Sequence, residues 1–116
     1  MNKSQTVTGK VFYYNGDLSH GITVHTCDKQ GKMKDEGFFI SSGTIDIIKK
    51  AIVTHREIPM GACRDNPAKD SIGHILFNQH KSPQALSYVI PLLKQENFCT
   101  YFKKGIAYYI RSVAIK

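Results

Sequence analysis

The run His80-Lys81-Ser82-Pro83 constrains the fold more than any other part of the chain. It stops one apolar-periodic stretch and starts the next with no residues to spare. The Ser82 hydroxyl can accept the free N–H groups of a helix start, and Pro83 stands at a first helical position where its missing N–H costs nothing. Upstream, Asp70 or Ser71 caps a short helix whose buried face is Ile72, Ile75 and Leu76, ending near Gln79. Downstream, a second helix buries Ala85, Leu86, Val89, Leu92 and Leu93. Pro91 should kink that helix or end it early, because a mid-helix proline removes one backbone hydrogen bond. Asn97 can take the left-handed conformation that closes it. Cys99-Thr100-Tyr101-Phe102 and Ile106-Ala107-Tyr108-Tyr109-Ile110 then pair as strands around Lys103-Lys104-Gly105, a hairpin with a basic tip.

The first forty residues follow a different period. Val7 to Tyr14 is β-branched and aromatic, Ile22 to Thr26 alternates, and Gly37-Phe38-Phe39-Ile40 is a short apolar run. Turn signals at Asn15-Gly16-Asp17 and Asp28-Lys29-Gln30-Gly31 separate them, which predicts an antiparallel meander. A helix follows, capped by Ser42 or Thr44, with Asp46 in its first turn and Ile45, Ile48, Ala51 and Ile52 on one face. Pro59 sets its latest end, and Glu57 to Asp70 is expected to be a long loop. The expected class is α+β: a meander extension over 1–40 and a helical domain with a hairpin over 41–116, packed as one unit.

Net charge is +7 in 116 residues, and its distribution is uneven. Residues 1–40 and 41–78 each carry a net +1, whereas residues 79–116 carry +5, with Glu96 as their only acid. A surplus confined to one segment points to a polyanionic partner. The three cysteines, Cys27, Cys63 and Cys99, form no CxxC pair, so reduced thiols and a cytoplasmic location are expected. The N-terminus lacks the apolar core of a signal peptide, and Tyr88 to Leu93 is too short to span a bilayer, so no membrane association is expected.

In order, these elements are helix, loop, short helix, tight turn, capped helix and basic hairpin: a helix-turn-helix followed by a wing. From about residue 70 to 111 the pattern resembles winged helix-turn-helix repressors of the ArsR and MarR types. Those families end the recognition helix with Leu-x-x-x-Gly-Leu and close the wing on a Tyr-Tyr-x-aliphatic strand. Leu93 to Phe98 and Ala107-Tyr108-Tyr109-Ile110 stand at those places, with Asn97 where glycine is usual. The resemblance implies a small prokaryotic or phage-like transcriptional regulator that binds double-stranded DNA, with a homodimer on a palindromic site as the usual arrangement. The recognition helix here carries no metal-sensing cysteine motif, and strands rather than extra helices precede the first helix, so effector chemistry and dimer geometry do not carry over. With the third helix in the major groove, Gln84, Ser87 and Tyr88 would face base edges or the backbone. Ser82 lies beside them at the helix start, and Lys81, Lys94, Lys103, Lys104 and Arg111 would meet phosphates. Arg64, in the loop before the second helix, would also touch DNA.

Two other readings have sequence support. The same fold could dock on a protein partner, as an antirepressor or assembly factor. Thr8-Gly9-Lys10-Val11-Phe12-Tyr13-Tyr14-Asn15 resembles the opening strand of cold-shock domains, whose aromatics stack on single-stranded bases. His25-x-Cys27 is a single loose pair without zinc-site spacing, so neither metal nor cofactor is expected. No Gly-x-Ser-x-Gly, phosphate-binding loop or paired carboxylates on a predicted strand end occur, so an enzyme is not expected.

Overall fold

The structure, a computed structural model, describes residues 1–63 and 67–113. It is an α+β fold with an N-terminal antiparallel sheet of four strands, three helices and a second, three-stranded sheet. The first sheet is a meander, β1 (Asn2–Gln5), β2 (Val11–Asp17), β3 (Gly21–Thr26) and β4 (Phe38–Ser41), each strand hydrogen-bonded to the next. β1 has no alternating signal of its own and was not expected; pairing of Ser4 with Phe12 and of Gln5 with Val11 makes it a strand. The turn foreseen at Asn15-Gly16-Asp17 lies three residues later. β2 runs through Asp17, and that carboxylate caps the turn by accepting the N–H groups of Ser19 and His20 at 2.9 and 2.8 Å.

Helix α1 (Ser42–His55) buries the foreseen face, Ile45, Ile48, Ala51 and Ile52. Its cap is Ser41 rather than Ser42 or Thr44; the Ser41 hydroxyl accepts the Thr44 N–H at 3.2 Å. The expected loop from Glu57 to Asp70 is corrected at its start. Glu57–Pro59 is strand β5, because its partner lies fifty residues away on the last strand, where Ile58 faces Ile110. Helix α2 (Ile72–Asn78) is capped by Ser71, whose hydroxyl accepts the His74 N–H at 3.1 Å. It closes with left-handed His80 (φ 61°): the His80 N–H bonds Phe77 O, and the Lys81 N–H bonds Leu76 O. After a 3₁₀ turn at Pro83–Ala85, α3 spans Leu86–Gln95. Left-handed Asn97 ends it in the same way, with Phe98 N–H bonded to Leu93 O at 3.0 Å. Strands β6 (Cys99–Lys104) and β7 (Ala107–Ser112) form the hairpin, and β5 pairs with β7 on its other side.

Pro91 neither ends α3 nor leaves a hydrogen-bond vacancy. A proline at position 91 frees the carbonyl four residues back, at Ser87. That carbonyl accepts the N–H of Val7, in the turn between β1 and β2, at 3.3 Å. The meander is joined to the helices by this bond and by one apolar cluster that runs from Phe12, Ile22 and Val24 through Ile45, Ile52 and Leu76 to Leu86, Leu93 and Ile110. Consequently α3 is enclosed as far as Leu93. From Leu86 to Leu93 no residue is fully exposed, and Leu86, Val89, Ile90, Pro91, Leu92 and Leu93 are buried.

Pro91→Ala tests this joint. The new N–H would reclaim the Ser87 carbonyl, and Val7 would lose an acceptor worth about 1 kcal/mol. Hydrogen exchange at the Val7 amide should accelerate by roughly fivefold to tenfold while the α3 amides remain protected. Unchanged Val7 protection would show that the carbonyl freed by proline does not hold the meander.

Candidate nucleic-acid interface

The second sheet sorts the basic and aromatic residues of the last third onto two faces. Side chains alternate along a strand, so Cys99, Tyr101 and Lys103 of β6 share a face with Tyr108 and Ile110 of β7. Near the core this inner face is buried at Cys99 and Ile110. Toward the tip it becomes open, where the Tyr101 and Tyr108 rings meet edge to face at 6.3 Å. Lys94, at the end of α3, places Nζ 5.1 Å from the Tyr101 ring centre, and Lys103 lies 5.9 Å from that of Tyr108.

The outer face carries Thr100, Phe102 and Lys104 beside Ala107, Tyr109 and Arg111, with Glu57 and Pro59 across from β7. Phe102 and Tyr109 are cross-strand partners whose rings lie 5.9 Å apart and within 18° of parallel. Lys104 Nζ is 4.9 Å from the Tyr109 ring centre, and the Arg111 guanidinium is 4.9 Å from that of Phe102. Arg111 donates two hydrogen bonds to Glu57 Oε1, at 3.2 and 2.9 Å. These bonds hold the Glu57 carboxyl below its ordinary 4.5; desolvation opposes the shift, and the charges of Arg111 and Lys104 add to it. A lowered carboxyl keeps its pairing above pH 4.5 and loses it as pH falls through the lowered value. At the tip, Gly105 (φ +66°) opens the turn and Ile106 is 98% exposed.

The residues expected to meet DNA therefore divide into three groups. Lys103, Lys104 and Arg111 stand together on the exposed hairpin, with Lys94 at its base. Lys81, Ser82 and Gln84 are exposed on the turn entering α3. Ser87 and Tyr88, expected to face outward, lie against the meander instead. The Ser87 carbonyl holds Val7, and the Tyr88 ring packs edge-on against Phe12 at 5.1 Å and Phe38 at 5.3 Å. Burial raises the Tyr88 hydroxyl above its usual range. Further along the same helical face, Gln95 Nε2 donates to Ser4 Oγ at 3.2 Å. Periodicity alone marks this face as solvent-facing because its cover comes from residues eighty positions earlier. Arg64 lies outside the described residues.

Phe102 and Tyr109 are residues of the hairpin's outer face that sequence reasoning did not single out as candidates. Their signal was present: period-2 alternation places them with Lys104 and Arg111, on the face opposite Ile110. In the meander, Phe12 and Tyr14 point into the core and Tyr13 points out, on an open four-stranded sheet. The His25 ring lies 3.2 Å from the Lys34 carbonyl, and Cys27 bridges to Met33. Among the described residues, no three His, Cys, Asp or Glu side chains converge. No helix described is long and apolar enough to cross a membrane.

Compared with known proteins, the chain matches no family model, no curated protein and no solved structure.

Burial sets thiol reactivity across the molecule. Desolvation pushes the Cys99 thiol up to about 11, only partly offset by Lys94, whereas Cys63 is exposed. At pH 8 an aromatic disulfide reagent should modify Cys63 first and leave Cys99 intact until denaturant is added, as peptide mapping would show. Rapid native labelling of Cys99 would contradict the packing of α3 against β6.

Proposed function

We propose that residues 42–112 form a winged helix-turn-helix and that the chain is a small regulator binding double-stranded DNA through its hairpin. The element order α1, β5, α2, α3, β6, β7, with β7 central in the sheet, supports the winged-helix reading. The observation that carries the binding reading is the hairpin's surface. Lys103, Lys104 and Arg111, with Lys94 at the base, each rest on an aromatic ring of an exposed two-stranded ribbon. Such a ribbon, like a single helix, fits a major groove about 12 Å wide. A cation already resting on a ring loses less freedom when it meets a phosphate. Ile106 offers an apolar contact for a thymine methyl at the groove floor.

The role of α3 differs from that of a groove-inserted helix. On its Ser87-Tyr88-Pro91-Gln95 face, Ser87, Tyr88 and Gln95 contact Val7, Phe12 and Ser4 of the meander, which would obstruct entry of that face into a major groove. The entry turn contributes Lys81, Ser82 and Gln84 as flanking contacts to the backbone. A protein-docking reading has one specific observation in its favour: half-exposed Phe77 lines an open groove of about 700 Å³ with His80, Lys81, Ser82 and Pro83.

Fluorescence anisotropy on labelled duplex across a salt series is the test. Neutralising about four phosphates gives a slope of log affinity against log salt near −3.6, and changing Lys103 and Lys104 to Ala should flatten it by about 2. No binding at low salt, or an unchanged slope in the double variant, overturns the reading. If Phe77→Ser abolishes capture of a folded protein while duplex never binds, the protein-docking reading replaces it. Glu57→Gln at neutral pH should act in the opposite direction to the lysine changes. It releases Arg111 and Lys104 toward phosphate, tightening duplex binding and steepening the slope by up to about 1. A weaker complex in this variant would mean that Glu57 positions Arg111 for contact rather than competing with DNA.

A further inference from the structure

We infer that the outer face of the β5-β7-β6 sheet binds single-stranded nucleic acid, with unpaired bases stacked on Phe102 and Tyr109 and the strand's phosphates on Lys104 and Arg111. This site shares Lys104 and Arg111 with the duplex reading but uses the sheet's outer face, not the edgewise insertion of the hairpin into a groove. Three strands spaced about 4.8 Å apart, with their side chains, make a surface too broad for a groove, whereas an unpaired base can lie flat on an aromatic ring. The register places the two rings side by side on adjacent strands, nearly parallel and 5.9 Å apart. Ala107 is exposed and short, and Pro59 carries no long side chain over Tyr109, so Lys104 and Arg111, each 4.9 Å from a ring centre, are the neighbours that a base would displace.

Charge supports the same occupant. Lys104 and Arg111 flank the rings, and their side chains are 62% and 58% exposed. They can swing from ring to phosphate as a base takes their place. The exchange is favourable, because a cation on an exposed ring is worth roughly twofold to fivefold in an equilibrium. A base on the same ring is worth about fivefold to hundredfold. Glu57 holds the Arg111 guanidinium at the strand edge, so one cation starts in a defined place. A pair of this kind also steadies a sheet through cross-strand contact, and that role alone predicts no ligand.

The test uses the full chain and a twelve-nucleotide single strand carrying 2-aminopurine, as DNA and as RNA, beside a blunt duplex. Stacking should quench the 2-aminopurine. Phe102→Leu and Tyr109→Leu should each weaken single-strand binding by about fivefold to hundredfold and abolish the quench. Phe102→Tyr and Tyr109→Phe should retain both. In the unmodified chain, ring-proton shifts of Phe102 and Tyr109 should move on adding the strand while those of Tyr13 stay in place, a readout that needs no variant to fold. Preference for RNA or for DNA identifies the source of the strand, and either supports the inference. Absence of single-strand binding at low salt, or leucine variants that bind and quench like the parent, overturns it. Duplex binding retained with these negative results leaves the hairpin reading standing, and loss of duplex binding alone removes only that reading.

Discussion

The architecture turns on one carbonyl. Pro91 cannot donate to Ser87 O, and an orphaned carbonyl in a buried helix costs about 1–3 kcal/mol. The N–H of Val7 satisfies it. The bond is long, and its net contribution is modest; it matters because it sets where the meander meets α3. Once Val7 is placed, Phe12 falls against Tyr88 and Ser4 reaches Gln95, so the length of α3 is lined by β1 and β2. A proline that would weaken an exposed helix is tolerated here because tertiary structure supplies the missing donor.

Enclosing α3 moves the free polar surface elsewhere. In a helix with one apolar stripe, the opposite face is available to a partner; α3 has no fully exposed residue from Leu86 to Leu93 and opens to solvent at Lys94 and Gln95. The hairpin is exposed and basic, joined to the core through Ile110 and Cys99 and extended toward solvent at Lys103, Lys104 and Ile106. β5 turns that hairpin into a sheet with a definite outer face, and the Glu57 pair with Arg111 fastens the edge. Exposed ion pairs contribute little to stability, so the pair acts mainly by setting where the guanidinium sits.

Much of this fold is legible residue by residue. Ser71, Ser82 with Pro83, and left-handed Asn97 mark helix ends because capping depends on a few neighbouring atoms. The buried face of α1 follows from spacing alone, and that of α2 does so at Ile72 and Leu76, with Ile75 half-buried. β1 and β5 were illegible for a common reason: Asn2–Gln5 and Glu57–Pro59 carry weak local preferences and become strands through partners at Val11–Tyr14 and Tyr109–Arg111. The site was legible in part. Charge clustering singled out Lys103, Lys104 and Arg111, which share the exposed hairpin, whereas spacing alone gave no sign that Ser87 and Tyr88 lie against the meander.

By itself, the sequence determined the α+β class, the three helices and the basic hairpin. These depend on periodicity, capping and backbone stereochemistry, which act within a few residues. Only the tertiary structure decided that the meander covers α3 and that β5 completes a three-stranded sheet. Those outcomes need groups separated by fifty to ninety residues to meet, and burial and backbone pairing across such distances leave no local signal to read.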